Sequence, residues 1–151
     1  MVELLALFIG CGLIVSLLFS ELFGLAAGGL VVPGYFALYL HEPVAILVTL
    51  GVALLAFSVV KIISGFAIVY GRRRTVLTIL VAFIFGFLVR SIVGPHLDEH
   101  TEMAVIGYII PGLIAIWMDR QGTVETICSL MTASVITRLI MIFVTGGDFQ
   151  V

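Results

Sequence analysis

The chain has 151 residues, of which 62% are apolar and 11% are charged, and its formal net charge is -2. Soluble domains are roughly 45–50% apolar and about 25% charged, so this composition excludes an ordinary water-soluble fold and indicates an integral membrane protein. The 7 basic residues are too few for a surface that follows nucleic-acid phosphates. We therefore expect a lipid bilayer around the chain and no nucleic-acid partner.

Six apolar segments follow one another along the chain, at residues 4–20, 23–40, 44–70, 75–93, 103–118 and 126–146. A spanning helix needs about 20 mostly apolar residues, so six spans is the most that this length allows. The segments predict an all-α, polytopic membrane protein that forms a single domain over residues 1–151.

Two of these segments contain a Pro-Gly pair, Pro33-Gly34 in the second and Pro111-Gly112 in the fifth. Proline removes a backbone donor and crowds the preceding turn, so we expect both segments to be broken helices. A half-helix that begins at such a break presents the positive end of its dipole, which favours an anionic group. The alternative is a plain proline kink without chemical consequence.

The residues around the two pairs also match, because GLVVPG at 29–34 aligns with GYIIPG at 107–112. This alignment predicts an internal repeat with halves at about 1–71 and 76–151, each with three apolar segments. If every segment crosses the membrane, the two halves are inverted relative to each other.

Loop charges bear on the number of crossings. The run Arg72, Arg73 and Arg74 is expected in the cytoplasm by the positive-inside rule, which puts the acidic loop at 96–102 outside. With six crossings Arg120 joins the arginine run inside. With re-entrant second and fifth segments there are four crossings and Arg120 falls outside. Six crossings accommodate all loop arginines, but both topologies stay open.

Few charged residues lie within or beside the apolar segments. Arg138 lies deep in the last segment, so we expect it to face the interior of the helix bundle. Glu21, between the first two segments, is either an interfacial loop residue or a functional one. The last segment also has a stripe of small residues at helical spacing, which we interpret as a packing seam: Thr126, Ser129, Ala133 and Thr137.

The chain lacks the common catalytic motifs. It has no Gly-rich phosphate loop, no Gly-x-Ser-x-Gly elbow and no His-Glu-x-x-His pair, and its histidines and cysteines do not have metal-ligand spacing. We therefore predict no catalytic residue, no metal and no cofactor in this chain.

Five short motifs stand out along the sequence: ELFG at 21–24, GLVVPGY at 29–35, YGRR at 70–73, GYIIPGLIA at 107–115 and RQG at 120–122. In this order they resemble the poly-γ-glutamate biosynthesis protein C family, PgsC/CapC, the small membrane subunit of bacterial poly-γ-glutamate synthase. The resemblance implies a multi-pass protein of the bacterial cytoplasmic membrane.

The resemblance also implies partners. A separate ATP-dependent amide ligase subunit (B), similar to the Mur ligases, would bind ATP and Mg²⁺ and join glutamates, and an extracellular-side subunit (A) would complete the synthase. The membrane subunit would assist polymerisation, export the polymer, or both. The competing functions are an independent secondary transporter or channel, and a structural anchor for the ligase.

Two sets of residues follow as functional candidates. We expect the polyanion to pass between the halves, and the candidates for its path are Pro33, Gly34, Pro111, Gly112, Arg138 and Glu21. The candidates for docking the ligase or gathering acidic substrate are the loop arginines Arg72, Arg73, Arg74 and Arg120.

Overall fold

The computed structural model describes residues 2–68, 70–93 and 101–146. Within these ranges the chain forms helices and no strand, which confirms the all-α prediction there; residues 96–100 of the predicted outer loop lie outside them. The helices are α1 (Val2–Phe23), α2 (Val32–Leu38), α3 (Pro43–Phe66), α4 (Arg72–Val93), α5 (Thr101–Gln121) and α6 (Thr123–Thr145), with a 3₁₀ turn, Tyr39–His41, between α2 and α3.

Three of the described helices are long and apolar enough to span a membrane, namely α1, α3 and α6. Large apolar side chains of these helices are exposed: Phe66 of α3 is 93% exposed and Phe143 of α6 is 90% exposed. Water-soluble monomers rarely expose extended apolar patches, whereas lipid is a suitable solvent for them. The helices thus agree with a membrane protein, and the prediction of six crossings stays a prediction.

The helices divide between two compact units. The first unit is Met1–Ile46 with Gln121–Val151, and the second is Leu47–Arg120. The first therefore contains α1, α2 and α6, and the second contains α4, most of α5 and most of α3. Each unit combines the first two helices of one predicted half with the third helix of the other, and the repeat itself stays a prediction.

The break predicted at Pro33 is confirmed in the first unit. The chain leaves helical structure after α1 and resumes it at Val32, with Pro33 in the first turn of α2. A proline is well placed there because the N–H groups of a first turn have no partner within the helix. The new helix is short, with 7 residues.

Helix α2 packs very closely against α1, and glycine makes this approach possible. A Cβ atom added to Gly34 would lie 2.6 Å from the Phe8 carbonyl oxygen and 2.9 Å from the Ile9 Cα atom. Gly12 of α1 faces the same point. Gly34 of the Pro-Gly pair therefore has a packing role here, since any side chain at this position would push the two helices apart.

The small-residue stripe of α6 also lies in this unit, and its interpretation as a packing seam is confirmed. All four of its residues are buried: Thr126, Ser129, Ala133 and Thr137. Ala133 packs with Val15 of α1 and with Ala27, which precedes α2. The seam thus holds α6 against the first two helices.

The break predicted at Pro111 is wrong, because α5 continues through this residue as one helix. A proline inside a helix costs about 3 kcal/mol, but here the surrounding turns are densely packed. Ile110, Ile114 and Met118 are each at most 2% exposed. Their packing contacts offset the lost hydrogen bond, so no half-helix begins at Pro111.

Gly112 nevertheless has a packing role in the second unit, similar to that of Gly34 in the first. A Cβ atom added to it would lie 3.2 Å from the Ile79 Cα atom and 3.3 Å from the Ala82 Cβ atom, both in α4. Small residues continue this contact, since Ala56, Ala82 and Ala115 form one buried cluster. Gly34 and Gly112 thus each allow a close helix contact within one unit, α2 with α1 and α5 with α4.

Candidate functional site

A basic pocket lies in the second unit, between the first turn of α4 and the last turn of α5. Its volume is about 370 Å³, within the range of roughly 300–1,000 Å³ that is typical of ligand sites. Its polar lining consists of Arg72, Arg74, Thr75, Thr78, Asp119 and Arg120. Three arginines and one aspartate give the pocket a net positive charge.

One ion pair joins the two helices at this pocket. The Arg74 Nη2 atom donates to the Asp119 Oδ1 atom over 2.5 Å. The two side chains are 27% and 30% exposed, so water screens the pair only in part. Among the described side chains, the Arg74 Nε atom is buried and has no hydrogen-bond partner, which leaves part of the guanidinium without an acceptor.

The other two pocket arginines are held differently. The Arg120 guanidinium lies over the Trp117 ring, 5.5 Å from its centroid, which is a cation–π distance. Arg72 lies at the start of α4, where the positive end of the helix dipole adds to its own charge. Neither Arg72 nor Arg120 forms an ion pair within the part of the chain that the structure describes.

Three of the four arginines predicted as docking residues therefore meet at one pocket. Arg73 is the exception, because it is exposed and does not line the pocket. Their roles in docking stay predictions.

The candidates for the polymer path are divided between the two units. Pro33 and Gly34 are buried in the first unit, whereas Pro111 and Gly112 belong to the second. Glu21 is exposed near the end of α1. Their roles in a polymer path stay predictions.

Arg138 has a structural contact in the first unit. Its Nη1 atom donates to the Ala37 carbonyl oxygen over 3.4 Å, near the end of α2, where the last carbonyls of a helix lack partners. The side chain is half-buried, and this long hydrogen bond uses one of its five donors. The predicted interior position of Arg138 thus agrees in part with the structure.

Sequence reasoning missed a polar clamp in the first unit. The Gln121 amide pairs with both backbone groups of Ala26: its Oε1 atom accepts from the amide N–H over 3.0 Å, and its Nε2 atom donates to the carbonyl oxygen over 2.6 Å. The Ser129 hydroxyl donates to the same carbonyl over 3.1 Å. Gln121 lies in the RQG motif, and this motif was the only feature noted in the sequence that pointed to it.

The clamp satisfies backbone groups in the non-helical segment between α1 and α2. Ser16 adds a further hydrogen bond, from its hydroxyl to the Gly29 carbonyl oxygen over 3.3 Å. Unpaired backbone groups cost several kcal/mol in hydrocarbon, so a non-helical segment at membrane depth must be buried in protein or line a wet cavity. Side chains from α1, α5 and α6 meet this requirement here.

Helices long and apolar enough to span a membrane, together with an arginine-lined pocket, are consistent with a helical membrane protein that has a basic site. The family model described as "Capsule biosynthesis CapC" matches residues 11–127. The chain belongs to this family.

Two relatives support the assignment. The "PGA biosynthesis protein CapC" of Bacillus subtilis (strain 168) is 37% identical over 131 residues, which cover 86% of this chain and 88% of the relative. The "Capsule biosynthesis protein CapC" of Bacillus anthracis is 38% identical over 131 residues, with the same coverage. No solved structure shows a significant match to the chain.

Proposed function

We propose that this protein is the membrane subunit of a bacterial poly-γ-glutamate synthase, which makes a capsule or a secreted polymer. In this proposal it is a multi-pass protein of the cytoplasmic membrane. It assists polymerisation by a partner amide ligase, export of the polymer, or both. The observation that carries the proposal is the match to the CapC family over residues 11–127, and the names of the two relatives refer to capsule or PGA biosynthesis.

The basic pocket supports a role with an acidic polymer. Poly-γ-glutamate has one free carboxylate per residue, and guanidinium groups bind carboxylates through two parallel hydrogen bonds. A cluster of positive charge also attracts a polyanion over distance. We therefore expect this protein to contact the ligase, or to bind the ligase's product, at the pocket of Arg72, Arg74 and Arg120.

The position of this pocket supports the six-crossing topology. The ion pair between Arg74 and Asp119 holds the end of α5 beside the start of α4, so both belong to one membrane face. The arginine run favours the cytoplasmic face. In the four-crossing topology Arg120 would lie on the opposite face from Arg74.

The proposal divides the chemistry between subunits. The ligase binds ATP and Mg²⁺ and joins glutamates, and the extracellular-side subunit acts on the other face of the membrane. This chain supplies the spanning helices and the basic pocket. In this proposal the protein receives and transfers the acidic polymer, and it does not activate glutamate.

A complementation experiment tests the proposal. A strain that lacks the gene is supplied with the wild-type protein, with Arg72→Gln/Arg74→Gln/Arg120→Gln, or with Arg73→Gln, which removes a neighbouring charge outside the pocket. We expect the wild type to restore polymer, and the triple variant to yield at least tenfold less polymer than Arg73→Gln at equal protein level. Full polymer from the uncomplemented strain would overturn the proposal.

Two further measurements separate the competing functions. A ligase fused to an unrelated membrane anchor should not restore polymer; full restoration would make the chain a structural anchor. Purified protein in liposomes should move no glutamate without the ligase. Flux from the protein alone would identify an independent transporter or channel.

A further inference from the structure

The basic pocket already holds a carboxylate from its own chain. Arg74 and Asp119 are 45 residues apart in sequence, and their side chains join over 2.5 Å at the pocket wall. Asp119 is 30% exposed, so water and solutes reach it. A partly exposed ion pair of this kind contributes little net stability, which makes this carboxylate easy to displace.

The pocket has more positive charge than this aspartate neutralises. Arg72 and Arg120 line the same cavity of about 370 Å³, and in the described part of the chain neither has a carboxylate partner. The Arg74 Nε atom is buried there without an acceptor. A second carboxylate, or several on one chain, would supply acceptors for Arg72 and Arg120.

We propose that this pocket binds the free carboxylates of a γ-linked glutamate chain, and that Asp119 competes with them for Arg74. An arriving carboxylate takes the place of Asp119 on Arg74, while Arg72 and Arg120 bind neighbouring carboxylates. The inference rests on the proposed function for the identity of the polymer. Asp119 keeps Arg74 in a carboxylate-binding position while the pocket is empty.

This competition predicts opposite effects for residues of the same pocket. Removing the Asp119 charge takes away a competitor, so a glutamate chain should bind more tightly. Removing the Arg72 or Arg120 charge takes away a binding group, so the chain should bind more weakly. A general attraction to positive charge predicts instead that Arg72→Gln and Arg73→Gln act alike.

The experiment uses the full-length protein in lipid nanodiscs and a fluorescent γ-linked glutamate hexamer, measured by fluorescence anisotropy at low salt. We expect Asp119→Asn to tighten binding about threefold, because the ion pair that it removes is a weak one. Arg72→Gln and Arg120→Gln should weaken binding about tenfold, and Arg73→Gln should change it less than twofold. Asp119→Ser gives the same comparison if Asp119→Asn does not stay monodisperse. Weaker or unchanged binding in the Asp119 variant that folds would overturn the proposal.

Two competitors identify the ligand chemistry. Unlabelled hexamer should displace the probe, and the same hexamer with its carboxylates converted to carboxamides should not. Inorganic phosphate should compete only at concentrations at least a hundredfold higher. Phosphate that competes as well as the hexamer would mean a phosphate site and overturn the proposal.

The experiments can reject the carboxylate-binding pocket without rejecting the proposed function, and the reverse. If the hexamer does not bind the purified protein, while polymer in cells still depends on the gene, the carboxylate pocket is wrong and the proposed function stands. If the hexamer binds as expected but polymer does not depend on the gene, the synthase role is wrong.

Discussion

Gln121 pairs with Ala26 in the way that one peptide group pairs with another, accepting from its N–H over 3.0 Å and donating to its carbonyl over 2.6 Å. The two residues are 95 positions apart in the chain. This pairing gives the non-helical segment after α1 the hydrogen bonds that a continuous helix would have supplied within itself. The end of α5 is thereby tied to the first two helices of the chain.

We expect Gln121→Leu to destabilise the protein strongly. It leaves two backbone groups of Ala26 with fewer partners, and each unsatisfied buried group costs about 1–3 kcal/mol. Thermal unfolding in detergent, followed by size-exclusion chromatography, measures the loss. A melting temperature equal to that of the wild type would contradict the structural role of Gln121.

Ser129 allows a matched comparison within α6. Its hydroxyl donates to the Ala26 carbonyl over 3.1 Å and also to the Thr126 carbonyl of its own helix. The Thr132 hydroxyl bonds only within α6, to the Cys128 carbonyl. Ser129→Ala should therefore lower the melting temperature more than Thr132→Ala, and equal effects would show that the contact with Ala26 contributes little.

The close helix contacts predict a graded response to alanine. Gly34→Ala places a methyl group 2.6 Å from the Phe8 carbonyl oxygen, whereas Gly112→Ala meets Ile79 and Ala82 at 3.2–3.3 Å. Gly10→Ala meets nothing within 4 Å and improves helix propensity by up to about 1 kcal/mol. We expect loss of folded protein for Gly34→Ala, a moderate loss of stability for Gly112→Ala and none for Gly10→Ala.

Fluorescence-detected size-exclusion of the three variants tests this order. The folded fraction should fall from Gly10→Ala to Gly112→Ala to Gly34→Ala. A Gly34→Ala protein as stable as the wild type would contradict the close approach of α1 and α2.

Arg138 is expected to serve the polymer as well as the fold. Its hydrogen bond to the Ala37 carbonyl is long, at 3.4 Å, so it offsets only part of the cost of a charge in a spanning helix. Arg138→Leu should therefore lower polymer yield per molecule of folded protein, and Arg138→Lys should retain most of it. If Arg138→Leu gives the wild-type yield of polymer, Arg138 has no role in the polymer path and serves only to bind the end of α2.

The membrane topology is open to a labelling experiment. Helix α3 has 24 residues and is about 36 Å long, enough to cross a hydrocarbon core of about 30 Å. In a background without Cys11 and Cys128, Glu42→Cys should react with an impermeant maleimide from outside the cell. Arg73→Cys and Arg120→Cys should react only after permeabilisation, and labelling of Arg120→Cys from outside would favour four crossings.

The sequence predicts one helix break correctly and one wrongly, from the same motif. Both Pro33 and Pro111 precede a glycine, but only the stretch before Pro33 is rich in glycine. Gly24, Gly28 and Gly29 have φ angles of 65°, 71° and 128°, a backbone conformation that other residues rarely adopt. The glycine-rich stretch therefore unwinds the chain, whereas a lone proline leaves α5 intact.

The candidate site was predictable in part. The arginine run and Arg120 are visible as charges between apolar segments, and three of them line one pocket. The pairing of Arg74 with Asp119 joins residues 45 positions apart, and no local spacing relates them. Such pairs arise from helix packing, which periodicity alone does not specify.

The first unit joins helices that are far apart along the chain, and this affects the order in which the protein assembles. The first unit requires α6 and Gln121, which are made last, beside α1 and α2, which are made first. At roughly 5–20 residues per second, the chain between them takes several seconds to synthesise. During that time Ala26 has no partner from Gln121 or Ser129, so the packing around α1 and α2 is completed only after α6 has been made.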